Sequence, residues 1–277
     1  AFYTAALRTE DNEEKQAHLI QDAEAHGIDL LPPSVNESGR QFTAAKGKEK
    51  IRFGLSTVKN VGKEAQAIID EREENGRYDS FIGFCARAIP NLRAVKSLIK
   101  AGAMDEFGLS RKAMYSQKGE VLTYARKMRD YRRGDRSAEP EAPTPQDKPE
   151  WGAKMRFQQE RDVAGVYTTG HPTHQFPGLV GLYDGETWRR EHPRYGTSNY
   201  RLRCGSILSV SEATTQNGDP MWWVRYLTRD GINEEPVFEW RHEAIQNNLE
   251  TDVAVLIISK ADADGEYAGM WSIENVV

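Results

Sequence analysis

The chain has 277 residues, enough for two or three small domains, and its net charge of −5 excludes a uniformly basic nucleic-acid binder. Its composition is 38% hydrophobic, and no apolar run approaches the roughly 20 residues that a membrane-spanning helix needs. The two cysteines, Cys85 and Cys204, fall in different predicted segments, which argues against a disulfide framework and favours a reducing compartment.

The first 55 residues predict two helices and a few short strands. The start lacks an initiator Met and has the pattern of a helix interior, so we expect further sequence upstream. Apolar residues recur at nearly helical spacing over 15–27, where Gly27 suits a left-handed cap. Residues 28–31 predict a strand that ends at two prolines, and 42–43 with 51–55 predict a hairpin.

Residues 56–130 have a helical pattern that is interrupted by glycine, proline and an Asn-Gly turn. Helices are predicted over 61–73, 80–87, 92–100 and 111–129, and their short connections favour a compact bundle of helical hairpins. Residues 134–149 carry four prolines and many charges, which indicates a flexible or extended linker. A further helix is predicted over 151–164.

The carboxy-terminal part predicts a β-domain. Strands are expected over 202–210, 220–227, 236–240, 253–259 and 267–277, and Asn217-Gly218 is a strong hairpin signal before the second. A helix over 241–248 separates the third strand from the fourth. Five strands with a helix in that position are the plan of an OB-fold barrel. The predicted class is therefore α+β and multidomain, with a helical region followed by a five-stranded barrel.

Charge is distributed unevenly along the chain. Residues 93–133 contain eleven Lys or Arg and four acids, a net +7, whereas residues 229–277 contain three basic and eleven acidic residues, a net −8. Only the middle of the chain therefore has the electrostatics of a phosphate-facing surface. A solvated helix face is the alternative interpretation of the same charges.

The most specific local motif is LSTVKNVG, residues 55–62. It matches a helix-hairpin-helix pattern, in which backbone N–H groups at the start of the second helix point outward and hold a DNA phosphate. Glycine lets the phosphate approach closely, and Asn60, in place of the first usual glycine, tolerates positive φ best after glycine. An ordinary helical corner is the alternative. The phosphate-binding candidates here are Lys59, Asn60, Val61, Gly62 and Lys63.

A weaker second match covers residues 98–103, with Lys96, Lys100 and Gly102 as further phosphate-binding candidates. Two such turns would follow a duplex backbone without reading its bases, because phosphate contacts position a protein but carry no sequence information.

Three segments, in the same order, resemble the α subunits of bacterial DNA polymerase III. Residues 28–38 with 51–62 resemble the late fingers region of that family, 93–108 its next helical unit, and 165–172 the segment that leads to its OB domain. The resemblance implies the carboxy-terminal part of a C-family replicative polymerase. Its implied parts are fingers (1–55), a helix-hairpin-helix region (56–130), a linker (131–150), a connector (151–198) and an OB-fold domain (199–277).

The resemblance also implies where catalysis takes place. Enzymes of this family extend a primer with two metal ions, expected to be Mg²⁺, held by carboxylates of a palm. We expect that palm upstream, so this chain should contain no catalytic residue, cofactor or metal site and should be inactive alone. Asp262 and Asp264 fit a hairpin tip better than a metal site. His171 and His174 have a spacing that could suit a metal, but the resemblance makes this segment a structural turn.

The OB domain is a candidate surface for single-stranded DNA, because such barrels stack bases on exposed aromatic side chains beside basic ones. Trp222 and Trp223 alternate along one strand, so one of them is expected in the core. A purely structural barrel is the alternative. The single-strand candidates are Arg201, Arg203, Trp222, Trp223, Arg225 and Phe238.

The implied partners are primer–template DNA and the rest of a polymerase chain or a palm-bearing subunit, in a bacterial cytoplasm or a virus-infected bacterium. A sliding-clamp contact is not expected, because residues 146–151 (QDKPEW) lack the aliphatic–aromatic pair of the family's clamp motif. The alternative is a free-standing, non-catalytic DNA-binding or adaptor protein derived from a polymerase. A nuclease or metalloenzyme would need clustered carboxylates or histidines that the sequence does not offer.

Overall fold

A computed structural model describes residues 2–10, 12–45, 49–135, 137–170, 172–175, 187–192, 196–228, 231–261 and 267–275. The chain divides into two compact units, the first unit (Ala1–Thr169) and the second unit (Gly170–Val277). The first is mostly helical and the second is built on an antiparallel sheet, so the predicted α+β class is confirmed. The five finer segments stay a prediction.

The first unit is built mainly of helices, with a small sheet near its start. The helices are α1 (Phe2–Thr9), α2 (Glu13–Ala25), α3 (Ala65–Asn75), α4 (Phe81–Ala88), α5 (Leu92–Lys100), α6 (Arg111–Arg132) and α7 (Ala153–Ala164). The strands are β1 (Asp29–Leu31), β2 (Thr43–Ala44) and β3 (Lys50–Arg52), and 3₁₀ turns cover Leu55–Thr57 and Asp105–Phe107.

Local sequence signals set several of these helix ends. α2 ends before Gly27, which has φ +75°, and the Ile28 N–H donates to the Ala23 carbonyl at 2.9 Å, as in a glycine-terminated C-cap. The side chains of Ser80 and Asn91 accept hydrogen bonds from first-turn N–H groups and so begin α4 and α5. Helix ends of this kind depend on neighbouring residues only, and they agree with the prediction.

The small sheet contains two strand pairings, of which the sequence predicted one. β2 and β3 pair antiparallel, with Thr43 opposite Arg52, which confirms the predicted hairpin. β1 pairs with β3 in parallel, with Leu30 opposite Ile51. A parallel pair joins strands that no tight turn connects, so no local signal predicts it.

One hydrophobic core extends through the first unit from Leu7 in α1 to Val163 in α7. Side chains near its centre, such as Leu55, Phe84 and Leu98, are fully buried. The helical hairpins and the preceding strands therefore share a core, and neither packs alone.

A buried guanidinium joins the ends of three helices in this unit. Arg111 begins α6, and its side chain is 2% exposed; its Nη1 donates at 2.7 Å to Oε1 of Glu160, a residue of α7 that is 0% exposed. Nε and Nη2 donate to the Asp105 carboxylate at 2.9 and 2.7 Å, and Nη1 also donates to the Lys100 carbonyl oxygen at 3.2 Å. Glu160 accepts a further hydrogen bond from the Thr168 N–H at 2.9 Å. These bonds hold the end of α5, the turn that follows it and the start of α6 against α7.

Residues 137–149 form no helix or strand, but hydrogen bonds attach them to α6 and its N-cap. Gln117 of α6 accepts a hydrogen bond from the Gln146 N–H at 2.8 Å and donates to the Gln146 carbonyl oxygen at 2.7 Å. The Ser110 hydroxyl donates to the Lys148 carbonyl oxygen at 2.6 Å. This proline-rich segment is therefore attached along the helix and does not behave as a free tether.

In the part that the structure describes, the second unit is a curled antiparallel sheet accompanied by an α-helix. Its strands are β4 (Thr187–His192), β5 (Gly196–Thr214), β6 (Pro220–Thr228), β7 (Gly231–Phe238), β8 (Ala254–Ala261) and β9 (Tyr267–Asn275). Helix α8 (Glu239–Ile245) lies between β7 and β8, and 3₁₀ turns cover Pro172–Gln175 and Gln246–Asn248. The strand order is β7-β6-β5-β8-β9, and β4 also pairs with β5.

The two ends of this sheet approach each other at Gly269 of β9. A Cβ at Gly269 would lie 2.6 Å from the Pro236 carbonyl oxygen of β7, so the approach requires glycine. The predicted Asn217-Gly218 turn joins β5 to β6, with Gly218 at φ +89°. A curled five-strand path with a helix between its third and fourth strands is consistent with the predicted OB fold.

The third strand of that path differs from the prediction. β7 covers Gly231–Phe238 where the prediction was 236–240, and α8 begins at Glu239. No strand was predicted over the polar residues before Pro236, but Glu235 is buried and its Oε1 lies 2.6 Å from Nη1 of Arg203 on β5. A tertiary ion pair thus stabilises a strand that hydropathy does not reveal.

The Arg111–Glu160 pair gives a stability prediction. Glu160→Ala should lower the free energy of unfolding by up to about 3–5 kcal/mol, because the buried guanidinium loses one of its two carboxylate partners and keeps only Asp105. Denaturant unfolding of the two proteins measures this difference. Asp162→Ala, on the same helix, is the matched control. Asp162 is 66% exposed and 4.0 Å from Lys100, so its loss should cost less than about 1 kcal/mol. Equal losses for both variants would contradict the assignment.

Candidate nucleic-acid interface

The predicted hairpin turn at residues 58–64 lies between two buried anchors. Leu55 and Ala65 are each 0% exposed, as is Val61 within the turn. The Val61 carbonyl accepts hydrogen bonds from Glu64 and Ala65, so the regular helix α3 begins at Ala65 and not at 61 as predicted. The positive φ in this turn, +66°, is at Asn60 and not at Gly62. Asn60 thus has the conformation that the usual first glycine would adopt.

The N–H groups of this turn differ in whether they have acceptors. The Val61 N–H donates to Val58 O at 3.1 Å, and the Lys59 N–H donates to Val163 O at 2.8 Å. Within the described ranges, the N–H groups of Gly62 and Lys63 meet no acceptor. These two N–H groups lie in the turn directly before α3, so they can donate hydrogen bonds to an anion in front of it.

Space for that anion is present in front of the turn. A groove of about 720 Å³ opens there, and a Cβ at Gly62 would meet only Ser56 O, at 3.6 Å. Three cationic side chains and one carboxylate border the groove. Its lining residues are Arg40, Ser56, Asn60, Gly62, Lys63, Glu64, Gln66, Asn91 and Arg93.

Arg40 and Arg93 are functional candidates that the motif did not reveal. Arg40 reaches the groove because Ser56 donates to its carbonyl oxygen through its N–H at 2.9 Å and its hydroxyl at 2.7 Å. Gly54 permits this approach, since a Cβ there would lie 2.5 Å from the Gln41 carbonyl carbon. Arg93 belongs to the basic stretch 93–133, which indicated a phosphate-facing surface. Charge alone, however, does not predict which side chains line the same groove.

The second predicted turn, at residues 98–103, is a helix C-cap whose N–H groups are already used. Gly102 has φ +77° and donates to Ile99 O at 3.1 Å, and Ala103 donates to Leu98 O at 2.9 Å. A Cβ at Gly102 would lie 2.2 Å from Nη2 of Arg111, so the glycine makes room for that guanidinium. The placement therefore argues against a phosphate contact by the Gly102 N–H.

The lysines near this second turn have different surroundings. Lys100 is partly buried and lies 4.0 Å from Asp162. Lys96 is half-buried and stands near Lys118, whose pKa is lowered by burial and, secondarily, by the Lys96 charge. Neither lysine lines the groove at the first turn. Their role as phosphate ligands stays a prediction.

The N-terminus of α6 is occupied by a carboxylate of the chain itself. Glu150 accepts hydrogen bonds from the N–H groups of Arg111 at 2.9 Å, Lys112 at 3.2 Å and Trp151 at 2.7 Å. Burial alone would raise the pKa of Glu150, but these three donors outweigh it and lower the pKa below its ordinary value. This helix start therefore offers no open anion site while Glu150 is in place.

In the second unit, β6 separates the two tryptophans as alternation predicts. Trp222 is half-buried and stacked on His242 of α8, with ring centroids 3.5 Å apart, so one face of the indole is covered. Trp223 is 37% exposed on the other side of the sheet. Arg225 follows on the same side, opposite Glu234 of β7. Trp223 is therefore the better placed of the two for stacking a base.

The remaining single-strand candidates are less open. Arg203 is buried, and its Nη1 donates to Glu235 at 2.6 Å and to the Tyr226 hydroxyl at 2.5 Å, which argues against contact with DNA. Arg201 is half-buried on β5. Phe238 is half-buried at the start of α8, and its ring would lie 3.3 Å from a Cβ at Gly269. A single-strand role for any of these residues stays a prediction.

Two other features of the described residues concern metals and membranes. No group of three or more His, Cys, Asp or Glu stands together there in a way that could hold a metal ion. His171, Asp262 and Asp264, which the sequence analysis considered, lie outside those residues. Within the same ranges, no helix combines the length and the apolar character needed to cross a membrane.

Comparison with known proteins adds a family relationship. A family model described as a helix-hairpin-helix motif matches residues 27–114. The chain is 32% identical to the DNA polymerase III subunit alpha of Thermus aquaticus, over 100% of the chain and 24% of that protein. It is 34% identical to the Campylobacter jejuni protein of that name, over 91% of the chain and 22% of the relative. The chain thus spans about a quarter of the length of the curated relatives it matches.

The carboxylate at α6 gives a pH-dependent prediction. Glu150→Gln should lower the free energy of unfolding at neutral pH by about 0.5–1 kcal/mol, the low end for a helix cap, because the site is partly exposed. A lowered folded-state pKa stabilises the fold above the unfolded pKa of about 4.3, and this stability is lost as pH falls through the folded value. The two proteins should therefore converge at an acid pH below the folded-state value.

Urea unfolding at both pH values checks this, with Glu139→Gln as the control from the same segment, where an exposed carboxylate should make no difference. A Glu150→Gln deficit that stays constant from neutral to acid pH would rule out the carboxylate as its source.

Proposed function

Since the chain belongs to the family of bacterial DNA polymerase III α subunits, we propose that its first unit grips the phosphate backbone of duplex DNA during template-directed synthesis. The observation that carries the proposal is the Gly62–Lys63 turn, where two N–H groups without acceptors among the described residues face a groove lined by cations. The match of a helix-hairpin-helix model to residues 27–114 supports the same function.

The chemistry of the turn fits a phosphate better than a base. Backbone N–H groups and a helix dipole favour a compact anion, and they make no pattern that distinguishes one base pair from another. The expected contact is therefore independent of sequence, as a polymerase that copies any template requires.

We assign nucleotidyl transfer to a palm outside this chain, where carboxylates hold Mg²⁺ that stabilises the attacking and leaving oxygens. The chain by itself is then expected to be inactive and to contribute binding. Its partners in this proposal are primer–template DNA and the palm-bearing part of the polymerase, in a bacterial cytoplasm or an infected bacterium. A standard clamp contact stays outside the proposal, because the Gln146 backbone is already bonded to Gln117.

A second, weaker function is favoured by one observation in the second unit. Trp223 is exposed and shares its side of β6 with Arg225, which is the combination that binds single-stranded nucleic acid. The net charge of −8 from residue 229 onward opposes the approach of a strand, so we propose weak contact with template DNA at most. A free-standing DNA-binding adaptor is the alternative for the whole chain, and it would retain duplex binding without a palm-bearing partner.

Gly62→Ala separates DNA binding from folding. The added methyl group meets only Ser56 O at 3.6 Å, so the free energy of unfolding should change by less than about 0.5 kcal/mol. The same methyl group stands where a phosphate must approach the turn N–H groups, so duplex affinity should fall several-fold. Lys63→Glu should weaken binding further by repulsion. Fluorescence anisotropy with a labelled duplex measures both.

Lys15→Glu is the control, since it makes the same charge change at an exposed site on α2. The proposal fails if Lys59, Lys63 and Lys100 can all be changed to Glu without loss of duplex affinity.

A further inference from the structure

The groove in front of the hairpin turn is lined by polar and charged residues from three parts of the chain, namely Arg40, the turn itself and the segment at Arg93. On one side, the Arg40 carbonyl oxygen accepts a hydrogen bond from the Ser56 N–H, and the Ser56 carbonyl oxygen would lie 3.6 Å from a Cβ at Gly62. On the other side, Glu64 Oε1 accepts from Asn91 Nδ2 at 2.6 Å, and Asn91 Oδ1 accepts from the Arg93 N–H at 2.9 Å. The turn therefore lies between the two arginines.

We propose that Arg40 and Arg93 bind the phosphates on either side of the one held at the Gly62–Lys63 turn, so that the groove holds successive phosphates of one DNA strand. This inference rests on the proposed function of the turn and adds two residues to it, neither of which lies in the hairpin motif. Arginine suits the task because its planar guanidinium can donate two parallel hydrogen bonds to one phosphate.

Both arginines are available for such contacts. Each is exposed, and neither guanidinium has a hydrogen-bond or ion-pair partner among the residues that the structure describes. Their guanidinium groups therefore hold no other part of the described structure in place, in contrast to those of Arg111 and Arg203. A charged side chain that lines a groove without a partner is free to bind a ligand of opposite charge.

The charges of the lining match a phosphate strand. Arg40, Lys63 and Arg93 supply three positive charges and Glu64 one negative charge, for a net +2. Glu64 is engaged by the Asn91 amide at 2.6 Å, and it lies at the start of α3, where a carboxylate is favourable. The lining remains attractive to successive phosphodiesters, each of which carries one negative charge.

The same lining argues against a nucleotide as the ligand. It contains no aromatic or large aliphatic side chain, so a base would have nothing on which to stack. Small-molecule sites are usually lined mainly by hydrophobic and aromatic side chains, whereas the residues that line this groove are polar, charged or glycine. We therefore expect the backbone of duplex DNA to occupy the groove.

The experiment is the salt dependence of duplex binding by the whole chain. Each phosphate contact that is lost should reduce the slope of log K against log salt concentration by about 0.9, measured between about 50 and 200 mM salt. Arg40→Ala and Arg93→Ala should each lower the slope by about that amount, and the double variant by about twice as much. The losses should be equal on A·T-rich and G·C-rich duplexes. Lys15→Ala should leave the slope unchanged.

Three other results would overturn the inference or its basis. If Gly62→Ala and Lys63→Glu weaken binding but the arginine variants keep the wild-type slope, the turn binds DNA and the arginines do not. If none of these variants affects binding, the proposed function of the turn fails as well. If inorganic tripolyphosphate binds as tightly as the duplex and the arginine variants lose it, the groove is a site for free polyphosphate.

Arg40→Lys and Arg93→Lys test the role of the guanidinium. They should retain the wild-type salt slope, because the charge remains, but bind more weakly, because one ammonium cannot make the paired hydrogen bonds. An unchanged thermal unfolding profile for each variant shows that the fold is intact. Lysine variants that lose the salt slope as fully as the alanine variants would contradict the charge argument.

Discussion

The buried guanidinium of Arg111 is the interaction on which the packing of the first unit depends. A charge removed from water must have partners close at hand, and Arg111 finds them in Asp105, Glu160 and the Lys100 carbonyl. These partners come from the end of α5, the turn that follows it and α7. Because Nη2 of Arg111 would lie 2.2 Å from a Cβ at Gly102, the glycine of the second turn is required by packing.

Two turns of similar sequence therefore have different capacities. Every backbone N–H needs an acceptor or a solvent-exposed position. At Gly102 and Ala103 the acceptors are carbonyls of α5, so the donors are used within the protein. At Gly62 and Lys63 the donors face a groove, and α3 begins behind them. Of these two turns, the one at Gly62 therefore keeps donors for an anion, whereas at the start of α6 Glu150 already accepts from the N–H groups.

The second unit has a different electrostatic character. Its residues 229–277 carry a net charge of −8. Its buried Arg203 bonds to other side chains of the unit: Arg203, Tyr226, Glu235 and Ser259 form one hydrogen-bonded network. Burial and the Glu235 charge raise the pKa of the Tyr226 phenol well above its ordinary range, so the hydroxyl stays a neutral donor. Polar residues on these strands therefore stabilise the sheet, and among the single-strand candidates Trp223, with Arg225 on its side of β6, is the most exposed.

The sequence by itself determined the elements that depend on neighbouring residues. It predicted α5, the cap at Gly27, the hairpin turn at Gly218, the α+β class and the positive-φ role of Asn60. Tertiary structure alone decided the parallel pairing of β1 with β3, the burial of Arg203, the strand at Glu235 and the use of Gly102. It also brought Arg40 and Arg93 to one groove. These features depend on contacts between residues that are far apart in the chain. Such contacts form only when the core packs, so no pattern of neighbouring residues predicts them.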